Sequence, residues 1–442
     1  MRRRRNVARR KSIGIQSQLT SLISTREINQ YARWGGVIKR RRKVEPAALF
    51  WAVVLGFSAG GKRSLAGMRR AYEKTTGTRL VPSVFYDRFT KPLAEFFRTV
   101  VGVLLEKAEE VTPSLTGILK GFRDVLATDS TLVRLHELLE RSFPASRTNH
   151  TKAAAKLHVV MSVKGKGMRS VKLSSGRQHD SPVLKVGRWV QERLLLFDLG
   201  YFRYGLFDRI DAQGGYFISR LKQNANPLIT GLLRDGTPNG VELVGERLKD
   251  VLGRLRRAEF DVEIEVEFQR REYGGCRQTA RIRLRLVGVR NAETGEYHLY
   301  VTNIPAERLS ASEVATAYGA RWQIELLFRE MKSSYGLEEM PSRKRHIVET
   351  LLYASVATLL VSRRLLLAVR EKLKGTQRNA PEERWGGIFK QVSQALLDVV
   401  LAPGKLALEL SRKLEAMLIH EAVDPNKSRR LLIQRVENGV TW

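Results

Sequence analysis

Between Arg193 and Tyr201 the chain reads RLLLFDLGY, a run of apolar residues from Leu194 to Phe197 closed by Asp198. A short apolar run with no polar side has no face to offer water. It is therefore a strand buried on both faces, which needs a sheet with layers packed above and below it. The sequence around this run has to supply those layers.

It does so in a definite order. DVLATDSTLV predicts a strand ending in polar residues, and KLHVVMSV and MRSVKLSSG predict two more, joined by the hairpin VKGKG. SPVLKVGRWVQE follows as a helix, with Ser181 as cap and Pro182 at its first position. After RLLLFDLGY come a helix near RYGLFDRIDAQ and a strand GYFISRLK. Antiparallel strands, a helix, then an inner parallel strand is the order of a ribonuclease-H-like α/β core, a mixed five-stranded sheet with flanking helices.

From about residue 224 a second texture intrudes. EFDVEIEVEFQRR alternates strictly, with Phe260, Val262, Ile264, Val266 and Phe268 on one face and Asp261, Glu263, Glu265 and Glu267 on the other. RIRLRLVGV answers with Arg281, Arg283 and Arg285, so an EYGGC turn would pair acidic and basic rows across a hairpin. Upstream, EPAALFWAVVLGF, SLAGMRRAYEKT and VPSVFYDRFTKPLAEFFRTVVGVLLEKAEE are helical, with Ser83 offering a cap; the tail beyond Pro341 is helical too. The expected organisation is a basic arm (1–45), a helical DNA-binding region (46–115), the core's first part (116–223), a β-strand insertion (224–303), the core's second part (304–370) and a C-terminal helical region (371–442).

Composition narrows the partner. Lys and Arg number 78 against 45 acids, a formal +33, and the first 43 residues hold 14 basic residues and one acid, a local +13. Such a surplus favours a polyanion, because each phosphate neutralised releases condensed counterions. Nucleic acid is the expected partner. Cys276 stands alone, and the histidines show no helical zinc spacing, so a metal here takes oxygen ligands and the reducing cytoplasm is the expected compartment. No run of about 18 uncharged apolar residues is seen, so no membrane partner is expected. GFSAGGKR matches a phosphate-binding loop until Arg63 replaces the hydroxyl residue that ligates magnesium; the run before it also has helical length.

The chemistry gathers in YGARWQIELLFREMK. Ser310 and Glu313 form a capping box that starts the helix. At about 100° per residue, Tyr318, Arg321, Glu325 and Lys332 fall within roughly 60° of arc on an otherwise apolar helix. A buried carboxylate needs a cation, and Arg321 stands one turn before Glu325. Asp129 ends the first core strand and Asp198 the fourth, at one sheet edge. Three carboxylates converging there repel one another, an arrangement suited to divalent cations. Asp124, Asp180, Asp208 and Asp211 compete, but none closes an apolar strand, and they read as loop or helix charges.

Tyr318, Arg321, Glu325 and Lys332 form Y-x2-R-x3-E-x6-K. Together with TDST and DLGY this resembles the DDE-type transposases of the insertion sequence four family, over about residues 123–360. The acids are spaced 198 − 129 = 69 and 325 − 198 = 127 residues apart, the second interval holding the insertion. The resemblance implies Asp129, Asp198 and Glu325 as ligands of two Mg²⁺ ions, with Mn²⁺ able to substitute, and Tyr318, Arg321 and Lys332 as phosphate contacts. It implies nicking of double-stranded DNA at terminal inverted repeats, a hairpin intermediate and strand transfer into target DNA, by a homodimer associated with the nucleoid. Relatives use an aromatic of the insertion to stack on a flipped base, and Tyr297 or Tyr300 stands in that stretch. The alternatives are a catalytically silent DNA-binding repressor and a nuclease without strand transfer.

Overall fold

The computed structural model describes residues 14–38, 44–58, 63–109, 114–146, 150–233, 242–270, 278–374, 376 and 378–424. Most of the arginine-rich start and the EYGGC turn lie outside them. Within the segment expected as a basic arm, helices α1 (Ile15–Leu22) and α2 (Thr25–Trp34) form instead. Ile15, Leu19 and Ile28 are fully buried, and Ser24 and Glu27 make a reciprocal capping box, so apolar spacing overrides the local charge.

Helices α3 (Pro46–Leu55), α4 (Leu65–Thr76), α5 (Pro82–Tyr86) and α6 (Lys91–Glu109) follow. The stretch expected as one element from Val81 breaks after Tyr86, and α5 begins at Pro82 with Val81, not Ser83, as its cap. The run before GGKR is helix α3, continued by a 3₁₀ turn at Gly56–Ser58.

Strands β1 (Asp124–Leu135), β2 (Ala153–Ser162), β3 (Met168–Ser175), β4 (Arg193–Phe197), β5 (Tyr216–Arg220), β6 (Leu228–Leu232), β7 (Glu259–Gln269), β8 (Thr279–Arg290) and β9 (Tyr297–Thr302) form one sheet among the described residues. Its order is β3-β2-β1-β4-β5-β9-β8-β7-β6. The sheet therefore has nine strands, not the five expected. The insertion is no separate sheet: β9 pairs antiparallel with β5, Ser219 opposite Val301, and carries β8, β7 and β6 outward. An unpaired β5 edge would leave backbone donors and acceptors open, and β9 satisfies them.

β4 behaves as its sequence requires. Leu194 and Leu196 point into the core beneath the helices, whereas Leu195 and Phe197 point into a second core with Phe207 and Phe217. That second core is covered by α7 (Tyr204–Asp211) and α8 (Leu248–Leu252). The helix expected from Ser181 is absent; turns fill the segment, with only a 3₁₀ turn at Arg188–Val190 preceded by fully extended Gly187.

The other face is covered by α9 (Ala311–Gly319), α10 (Trp322–Ser334) and α11 (Arg345–Leu373), with α12 (Glu382–Leu401) and α13 (Gly404–Ala422) behind. Helix α11 is long and apolar enough to cross a membrane by length and composition, though charged residues interrupt it; 72% of that apolar window is buried inside the protein. It packs as the central core helix.

Candidate active site

The parallel register of β1 and β4 sets the site. Thr128 lies opposite Phe197, the last pair of that ladder, so Asp129 and Asp198 are the residues that immediately follow it on the two chains. Asp198 is the extended residue before a 3₁₀ turn at Leu199–Tyr201. The Ser130 amide donates to Asp129 Oδ1 at 2.7 Å. Burial raises the Asp129 carboxyl to about 6; the Ser130 amide and Arg321 oppose the rise, and the charges of Asp198 and Asp180 add to it.

The helix that brings Glu325 is not continuous. Between α9 and α10 the Arg321 amide bonds to Tyr318 O at 2.9 Å and the Ile324 amide to Arg321 O at 3.1 Å, i to i−3 bonds that tighten the chain for one turn. Tyr318 therefore belongs to α9 and Glu325 to α10. The Tyr318 hydroxyl donates to Phe197 O at 3.1 Å, tying α9 to the end of β4. Burial pushes that phenol up to about 12, with Arg321 opposing and Asp198 reinforcing.

Arg321 occupies the centre. Its Nη2 lies 2.6 Å from Glu325 Oε1 and its Nη1 lies 3.6 Å from Asp129 Oδ2, so one guanidinium spans two of the three acids. Its Nε is buried without a hydrogen-bond partner. Despite the opposing cost of burial, Tyr318, Glu325 and Asp198 hold the guanidinium pKa above its ordinary value. Lys332, expected beside them, pairs with Glu338 at 2.8 Å. Seven residues on from Glu325 it is roughly 10 Å along the helix axis.

A family model described as "Transposase DDE domain" matches residues 120–361, more than half of the chain. The chain belongs to the DDE transposase family. It is similar to the transposase for insertion sequence element IS231F of Bacillus thuringiensis subsp. israelensis, 24% identical over 399 residues that cover 80% of this chain and 82% of the relative. Against the transposase for insertion sequence element IS1151 of Clostridium perfringens the identity is 22% over 368 residues, 76% of this chain and 77% of that one. A piggyBac transposase in a synaptic complex with hairpin DNA aligns at a TM-score of 0.49 and 10% identity, covering 93% of this chain and 86% of that one. The protein is thus a DNA-cleaving enzyme, a transposase of the insertion-sequence kind that depends on divalent metal.

The transposase's own residues fit such a cation in chemistry. The donors are carboxylate oxygens, the ligands that hard divalent ions take, and a guanidinium is already drawn between two of them. Among the described residues no three acids or histidines close into a ligating cluster, and Arg321 contacts both Glu325 and Asp129.

Neither tyrosine expected to stack on a base is free to do so. Tyr300 is buried with its ring 5.2 Å from that of Tyr318, and the Tyr297 hydroxyl donates to Arg257 O while its ring packs on Phe260. The exposed ring is that of Trp322, 46% accessible and next to Arg321.

Asp180, which the sequence offers only as a loop or helix charge, stands beside the site. Its carboxylate accepts from Ser130 Oγ at 2.8 Å and lies 3.1 Å from Lys156 Nζ and 3.4 Å from His158 Nδ1. It comes from the irregular segment after β3, where periodicity carries no signal. Asp124 pairs with Arg169, and Asp208 and Asp211 bond to Arg270 and Asn303.

Proposed function

We propose that the protein is the transposase of an insertion sequence that cuts and rejoins DNA at terminal inverted repeats, with Asp129, Asp198 and Glu325 holding two divalent ions, Mg²⁺ or Mn²⁺. The observation that carries the reading is Arg321, a cation suspended between Asp129 and Glu325 where the pairing of β1 with β4 stops. The ions, when bound, activate the attacking water or hydroxyl and stabilise the leaving oxygen.

The chain's own groups do the rest. Strands β3, β2, β1, β4 and β5 form the ribonuclease-H-like frame that keeps Asp129 and Asp198 adjacent, and α10 delivers Glu325 to them. Released from Glu325, the Arg321 guanidinium offers its unpartnered Nε and both terminal nitrogens to a phosphate. Tyr318 acts from behind, through Phe197 O, and Lys332 meets the DNA further along α10. Water attack frees a 3′-OH; this hydroxyl attacks the opposite strand to give a hairpin, which is reopened before joining to target DNA. Trp322, exposed at the start of α10, is the ring placed to stack on an unpaired base in that step. The +33 charge suits binding to DNA, helices within 46–115 contribute to it, and synapsis of two ends calls for a homodimer. Action on chromosomal DNA sets the protein in the nucleoid.

Incubation with Mg²⁺ and a labelled transposon end tests this. Joined products support the transposase; nicks alone identify a nuclease, and binding without product identifies a silent repressor.

A further inference from the structure

Register alone does not fix the distance between the two aspartates. Asp198 lies one residue beyond β4, extended and just before the turn at Leu199–Tyr201, and its charge and that of Asp129 repel. Something must press the turn after β4 against the middle of β1, where Asp129 and Ser130 lie. The irregular segment following β3 supplies it.

Asp180 reaches both sides. On the β1 side it accepts from Ser130 Oγ at 2.8 Å, and the amide of that same serine donates to Asp129. On the β4 side it packs against Gly200, two residues past Asp198, where a Cβ would lie 2.7 Å from Asp180 Oδ2. Any side chain at 200 would force that carboxylate to shift.

The segment itself is pinned. Lys156 Nζ donates to Gln178 O at 2.8 Å, the Arg177 amide donates to Pro144 O at 3.0 Å, and the Val183 amide returns to Asp180 O at 3.1 Å. His158, fully within the sheet, is bonded to Ser174 Oγ on β3 through Nε2 at 2.8 Å and faces Asp180 with its other nitrogen. Lys156 neutralises Asp180 at 3.1 Å, whereas Asp129 has only a distant, shared guanidinium. A carboxylate already matched by a lysine is built to hold shape, and one left short of positive charge is built to take a cation.

We propose that Asp180 is a positioning residue for DNA cleavage: wedged between Ser130 and Gly200, it sets the separation of Asp129 and Asp198. This rests on those two acids being the metal ligands.

The test compares Asp180→Asn, Gly200→Ala and Asp129→Asn with wild type. It reads nicking of a labelled end, Mn²⁺ binding to the DNA-free protein by electron paramagnetic resonance, and melting temperature. For Asp180→Asn, kcat and Mn²⁺ affinity each fall by about 10-fold or more while KM for the end stays within about twofold. Gly200→Ala, which displaces the carboxylate without removing it, shows the same split and covers the case in which Asp180→Asn does not fold. Wild-type kcat and Mn²⁺ affinity in a folded Asp180 or Gly200 variant overturn the proposal. Complete loss of Mn²⁺ binding in Asp180→Asn, equal to that of Asp129→Asn, overturns it too, by making Asp180 a ligand. If instead Asp129→Asn binds Mn²⁺ like wild type, the metal assignment fails, not the wedge.

Discussion

Acids and arginines meet in two regions of this molecule, and they meet on opposite terms. In the β7–β8 hairpin the acids face matching cations across the strands. Arg281 reaches Glu267 at 2.6 Å, Arg283 reaches Glu265 at 3.5 Å, and buried Arg285 grips Asp261 with two bonds of 2.8 and 2.6 Å. At the candidate site one guanidinium, that of Arg321, spans Asp129 and Glu325, with the charge of Asp198 beside them. In a chain with a surplus of 33 positive charges, that local shortage is a property of the site. The hairpin spends its charges on structure, and the site keeps a deficit that a bound cation can fill.

The largest effect that can break this comparison is catalytic. Asp129→Asn, Asp198→Asn or Glu325→Gln should abolish cleavage of a labelled end while end binding, measured by gel shift, changes little. Substantial cutting by any of the three removes the contrast. Next comes the buried rung: Arg285→Ala leaves Asp261 buried and unpaired, at a cost of about 3–5 kcal/mol in denaturant unfolding. Arg321→Ala is expected to lose much less stability, since Glu325 turns partly to solvent, but to cut more slowly through lost phosphate contact. Equal melting losses in the two arginine variants would refute the distinction.

A smaller effect is linked to pH. In the absence of divalent ions the Asp129 carboxyl titrates near 6 in the folded chain against 3.8 as a free group. The folded state therefore holds the proton more tightly, and stability falls as pH rises from about 4 to about 6. Asp129→Asn should be more stable than wild type at pH 8 by on the order of 2 kcal/mol, an advantage that vanishes near pH 4. Unfolding curves across that range check the sign. Least of all, Arg281→Ala on the exposed rung should change stability by no more than about 0.5 kcal/mol.

Legibility followed the same division. The paired rows of β7 and β8 could be read because alternation has a period of two and opposite charges seek each other across strands. Asp198 could be read because it closes an apolar strand, and β1 and β4 do lie side by side; Asp129, expected to end its strand, instead sits midway along β1, one residue past the last pair with β4, because β1 runs on beside β2 to Leu135. The turn between α9 and α10 was not legible: Gly319 and Ala320 permit a continuous helix, and packing of Tyr318 under Phe197 decides otherwise. The join of the insertion to β5 also escaped, since alternation shows that a strand has a buried face and not which neighbour it takes.

By itself, the sequence determined the α/β layering, the inner strand, the acid that closes it and the cationic bias, because all of these depend on residues close in the chain or on their sum. Tertiary structure decided which groups share Arg321, that Asp180 stands behind Ser130, that Trp322 is exposed and that Tyr300 is buried. Those outcomes depend on which distant surfaces touch, and no local period in a sequence carries that information.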